Sequence, residues 1–194
     1  MALQVADASL GSVRPVSRLE SPSDQGVHKA HMIRIGDSAP VFSLPDADMD
    51  VFDLSEQIGK HHVVLYFYPR DNTPGCTMQA ADFSDHDEDF SRLGCVVVGV
   101  SPDDCLTHAE FRDLHGLSVR LLSDEDTEVC RLYGVWHARE VDGVRRVGLA
   151  RTTFIIDRDG IVRHVLSDVA PRGHAAAVYK LVKDLEHEYA NRNR

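Results

Sequence analysis

A β-branched and aromatic run, His62–Tyr68 (HVVLYFY), ends on Pro69 and leads through a short loop into Thr73-Pro74-Gly75-Cys76. Such a run reads as a strand buried on both faces. Thr73-Pro74 is a helix-start signal, a hydroxyl able to cap followed by a ring whose fixed φ suits the first turn. Cys76 is therefore expected in the first turn of a helix, just beyond the end of a central strand. Unpaired N–H groups and the positive end of the helix dipole favour an anion at that point. Free thiols ionise near pH ~8.5, whereas thiols at helix N-termini do so at roughly 3.5–7.5. A cysteine placed in this way is built as a nucleophile.

The 194 residues suffice for one domain with a proper core, and 43% hydrophobic with 27% charged residues fits a soluble globular protein. Val63–Tyr68 and Cys95–Val100, the longest uncharged apolar stretches, fall far short of the ~18 residues of a membrane span. A formal charge of −10 speaks against a nucleic-acid partner, which would call for a basic face. The four cysteines, at 76, 95, 105 and 130, show neither C-x-x-C nor zinc-site spacing, so no metal and no disulfide framework is expected. Free thiols suit a reducing compartment, and a cytoplasmic location is expected. Residues 1–31 lack a secretory signal and read as a disordered tail, whereas 32–194 form the folded unit. Arg14 and Arg18 would suit a transit peptide, but Asp7, Glu20 and Asp24 count against one.

Ala39–Leu44 and Val51–Leu54 flank an acidic turn and predict an N-terminal β-hairpin. The Cys76 helix is expected to run to about Arg92, closed by Gly94. Cys95–Val100 is a second buried strand. Ser101-Pro102-Asp103-Asp104 predicts a capped helix reaching about His115. Val119–Leu122 is short and apolar, and Ser123–Asp126 opens a helix ending at Tyr133-Gly134. Thr152–Ile156 and Ile161–Leu166 form a hairpin across Asp157–Gly160, and a helix over 173–189 closes the chain. This order predicts a three-layer α/β domain with a parallel first half and an antiparallel second half.

Pro69, Thr73 and Cys76 meet the pattern Pro-x-x-x-Thr-x-x-Cys, which resembles the peroxiredoxin signature. The longer string Tyr68–Thr77 (YPRDNTPGCT) resembles the bacterioferritin-comigratory-protein, or peroxiredoxin Q, branch. So do Leu122–Asp126 (LSDED), Tyr133–Trp136 (YGVW) and Arg151–Asp157 (RTTFIID). The likeness covers about residues 33 to 189. It implies a thioredoxin-like fold, with a mixed central sheet flanked by helices, acting as a monomer or weak dimer without cofactor. The implied activity is reduction of hydrogen peroxide or organic hydroperoxides, with thioredoxin or a similar thiol restoring the enzyme. A redox sensor or holdase-like binding protein using the same cysteine is the alternative.

On this resemblance Cys76 attacks the peroxide as a thiolate and becomes a sulfenic acid. The Thr73 hydroxyl holds the peroxide in line, and Arg151 stabilises thiolate and transition state with fixed charge and several donors. Pro69 shields the sulfur from water, and Gln79, one turn after Cys76, helps position Arg151. Many relatives carry a resolving cysteine five residues after the first, where this chain has Ala81. Others place it on the next helix, near where this chain has Arg112. That leaves an external thiol, or Cys105 near the start of its helix; Cys95 and Cys130 read as small buried hydrophobes.

Several features carry ordinary readings. Gly94-x4-Gly99 has P-loop spacing without its lysine and reads as a strand boundary. His28, His31, His61 and His62 are expected to be solvated. Asp85–Asp89 reads as an exposed helix face, and Trp136 is expected near the active-site edge.

Overall fold

The structure is a computed structural model that describes residues 33–192 except Asp142. The tail expected over 1–31, with His28 and His31, lies outside the described residues. A five-stranded sheet in the order β5-β4-β3-β8-β9 forms the centre. Its strands are β3 (His62–Phe67), β4 (Cys95–Ser101), β5 (Arg120–Ser123), β8 (Thr152–Ile156) and β9 (Val162–Ser167). β3, β4 and β5 run parallel, while β8 pairs antiparallel with both β3 and β9. Two hairpins stand apart from it, β1 (Ser43–Pro45) with β2 (Val51–Asp53), and β6 (Trp136–Val141) with β7 (Val144–Leu149). Helices α1 (Pro74–Asp85), α2 (Asp87–Arg92), α3 (Cys105–His115), α4 (Glu128–Leu132) and α5 (His174–Arg192) complete the fold. Among the described residues, no helix is long and apolar enough to cross a membrane.

All six residues of β3 are buried because the strand lies mid-sheet with a layer on each face. Side chains alternate between those faces. Val63, Leu65 and Phe67 join Phe42, Phe52, Tyr133 and Phe154 in one core, beneath the N-terminal hairpin and α4. Val64, Tyr66 and Tyr68 join Cys76, Phe83, Phe90, Phe111 and Val178 in the other, beneath α1, α2, α3 and α5. Each large apolar side chain so buried contributes about 1.5–3 kcal/mol relative to exposure. Gly99 lies inside β4 because the Tyr66 ring crosses it: a Cβ there would sit 2.5 Å from the ring carbon that carries the hydroxyl.

Several expected boundaries move, each for a local reason. The helix expected to reach Arg92 breaks at His86, whose N–H bonds back to Phe83 and Ser84 and leaves the regular ladder. Ser101 is the last residue of β4 and not a cap; Asp104 caps α3, its carboxylate accepting from the Thr107 N–H at 2.7 Å. α4 starts at Glu128, and Asp124 accepts from the backbone N–H groups of Val129 and Cys130. The β6–β7 hairpin was not expected, although Asp142-Gly143 between alternating segments is a two-residue turn signal. Trp136 packs against the core opposite Cys76, and its strand position pairs with Leu149, two residues before Arg151. His62 is not solvated: it is fully buried on β3 and bonds Glu186 of α5 at 2.8 Å.

Candidate active site

Topology alone brings the two ends of the site together. β8 runs antiparallel to β3 with Thr152 opposite Phe67, so the residue just before β8 lies beside the point where β3 ends. That residue is Arg151. Beyond β3, Pro69–Thr73 cross the sheet edge and α1 begins at Pro74, which puts Cys76 in its first turn. No acidic side chain shares that turn to compete for its positive end.

Arg151 Nη2 donates to Cys76 Sγ at 3.1 Å, while Nη1 donates to the side-chain oxygen of Gln79. The guanidinium fork thus bridges two residues one helical turn apart. A lysine could not hold both in that plane. Cys76 is 1% exposed, and Gln79 is buried with its Nε2 unpartnered among the described residues, so its carbonyl oxygen is the end in use. Gly75 makes room for this: a Cβ there would lie 3.3 Å from Pro171 Cγ and 3.5 Å from Arg151 Nη2.

Thr73 takes the cap position, but its hydroxyl does not cap the helix. It donates to the Arg70 carbonyl at 3.1 Å, leaving its oxygen lone pairs to accept from a ligand. Pro69 is exposed where β3 meets the loop. Sequence reasoning missed the groups beneath that loop. Asp71, wholly buried, accepts from Tyr68 Oη and from His108 Nδ1 of α3, each at 2.7 Å. Its partner lies 37 positions away, and no spacing rule connects them.

The other thiols sit elsewhere. Cys95 opens β4 opposite His62, at the far end of β3, and burial pushes its thiol well above the ordinary range. Cys130 lies in the opposite core and is pushed up by burial and by Asp124. Cys105 begins α3 and is partly exposed. Ala81 lies on α1, and Arg112 on α3 pairs with Asp48 and Asp113.

Residues 35–165 match the AhpC/TSA family. The chain is 38% identical over 152 residues to peroxiredoxin Bcp of Escherichia coli, covering 78% of this chain and 97% of that protein. The chain belongs to the AhpC/TSA family and is a peroxiredoxin. Peroxiredoxin Bcp of Bacillus subtilis is 37% identical over 153 residues, covering 79% of this chain and 97% of its own. The bacterioferritin comigratory protein of Xanthomonas campestris superposes with a TM-score of 0.71 at 32% identity, over 75% of this chain and 92% of that one. This peroxiredoxin therefore has the thioredoxin-like fold of its branch, and it is a thiol peroxidase.

Proposed function

We propose that Cys76 is the attacking thiolate, and that the enzyme reduces hydrogen peroxide and organic hydroperoxides in the cytoplasm. The observation that carries this reading is the 3.1 Å contact from Arg151 Nη2 to Cys76 Sγ at the start of α1. Guanidinium and helix end together favour a sulfur anion. The thiolate attacks the terminal oxygen, a sulfur–oxygen bond forms and the O–O bond breaks. The electron pair leaves on the second oxygen, which takes a proton and departs as water or an alcohol. Sulfur loses two electrons and becomes a sulfenic acid. Arg151 stabilises charge developing on the oxygens, and Thr73 Oγ1, its proton engaged by Arg70, accepts from the peroxide O–H. Pro69 screens the mouth. Alkyl peroxide reduction is the activity described for the Xanthomonas campestris relative, in keeping with organic substrates.

Recycling is assigned to thioredoxin or another external thiol, which condenses with the sulfenic acid to a mixed disulfide and releases water. A second thiol then frees Cys76. Six strand positions separate the Cys95 end of the sheet from Tyr68, about 20 Å, and Cys130 lies across the sheet. Cys105, at the same sheet end as Cys76, is the internal alternative. Peroxide consumption with thioredoxin and its reductase, for wild type and Cys76→Ser, tests the reading. Full turnover by the serine variant would overturn it, and peptide mapping that found a Cys76–Cys105 disulfide would replace the external thiol.

A further inference from the structure

The loop that sets Thr73 ahead of Cys76 is held from below at a single carboxylate. Asp71 Oδ1 accepts from Tyr68 Oη at the end of β3, and Oδ2 accepts from His108 Nδ1 on α3. Its backbone N–H donates to Asp103 Oδ2 at 2.9 Å, an oxygen that also accepts from Ser101 Oγ at the end of β4. The Asp103 carbonyl in turn accepts from Ser123 Oγ at the end of β5. Three parallel strands and α3 therefore converge on the residue two before Thr73. Between the two, Asn72 sits in the left-handed region at φ 56, which asparagine adopts more readily than other non-glycine residues and which turns the chain toward Thr73. Because the carboxylate accepts, Nδ1 is the protonated nitrogen of His108, and its Nε2 is buried without a partner among the described residues. Among the described residues, these hydrogen bonds involve neither Cys76 nor Arg151.

We propose that Asp71 and His108 are positioning residues that latch the Pro69–Thr73 loop, favouring the peroxide step and opposing the thiol step. The proposal rests on Cys76 being the peroxidatic residue. A small peroxide needs Thr73 and Arg151 held in register about the sulfur, and displacement by an ångström costs rate heavily. A protein thiol needs the opposite. With Cys76 1% exposed, it reaches the sulfur only when the first turn of α1 and the loop before it lift away. One contact set therefore pulls the two half-reactions in opposite directions.

The two rates are measured separately. Single-turnover formation of the Cys76 sulfenic acid is quenched and read by mass spectrometry, and its reduction is then timed with reduced thioredoxin. His108→Leu keeps an apolar body but loses the donor; sulfenic acid formation is expected to slow about tenfold while reduction speeds up several-fold. His108→Asn restores a donor near the Nδ1 position and is expected to restore both rates. Tyr68→Phe, which removes only one hydroxyl, is expected to shift both rates in the same senses by less, and serves if His108→Leu does not fold. Rates that stay at wild-type values in these variants, or that fall together, overturn the latch alone. A wild type that forms no Cys76 sulfenic acid overturns the underlying assignment as well.

Discussion

Asp82 of α1 accepts a hydrogen bond from the backbone N–H of Ala175 at 2.9 Å, so the helix that carries Cys76 caps the helix that closes the chain. α5 begins at His174, and Asp82 supplies an acceptor to one of its otherwise unpaired first-turn donors. Replacing such a cap costs about 0.5–2 kcal/mol. Asp82→Ala is expected to lower the urea midpoint accordingly with an unchanged slope, and an unmoved midpoint would contradict the cap.

Arg151 carries charge to the sulfur and holds Gln79 with the same fork. Arg151→Met is expected to slow the reaction with peroxide by roughly 10²–10³, the range for losing a key charge-stabilising donor. Arg151→Lys should recover only part, because one ammonium does not reproduce two diverging donors. Competition kinetics against a reference peroxidase give the ratio; a lysine variant as fast as wild type would show that charge alone suffices.

Gly99 tolerates no side chain. A Cβ there would lie 2.5 Å from Tyr66 Cζ and 2.6 Å from its hydroxyl, and the ring is already stacked on Phe83 and Tyr68. Gly99→Ala is expected to cost about 1–3 kcal/mol through overpacking, with the sheet retained. Denaturant melts check the size, and a neutral result would mean that the ring yields freely.

His174 bonds Thr153 Oγ1 at 2.8 Å and is buried, which pushes its imidazole down to about 4, with Arg151 adding to the fall and Asp82 opposing it. The folded protein thus binds this proton less readily than the unfolded chain, whose histidines titrate near ~6.5. Its contribution to stability is present above that pH and drains away as pH falls toward 4, at no more than ~1.4 kcal/mol per pH unit. Buried His62 shifts in the same direction. His174→Asn is expected to flatten the acid limb of stability against pH; parallel curves for variant and wild type would exclude the assignment.

Legibility in the sequence followed the range of the interactions. A continuous β-branched and aromatic run made β3 readable as a strand buried on both faces, and Thr73-Pro74 marked the start of α1, because both signals are local. The place of Cys76 in the first turn of that helix could be read for the same reason. What failed was the choice between neighbouring caps: Ser101 and Asp104 carry similar propensity, and Ser101 is drawn instead to the Asp103 carboxylate. Thr73 was misread as a side-chain cap because Arg70 competes for its hydroxyl. Arg151 depended on the family likeness, since only the antiparallel pairing of β8 with β3 brings it to the sulfur. The Asp71–His108 pair depends on α3 folding back over the loop, which no local pattern records.

The near-complete burial of the Cys76 sulfur, beside a partly exposed Cys105, makes the protein sort thiol reagents by size. A hydroperoxide is expected to reach the sheltered sulfur, whereas a bulky maleimide is expected to meet Cys105 first. The order in which the two cysteines become tagged is thus a gauge of how often α1 frays at its beginning.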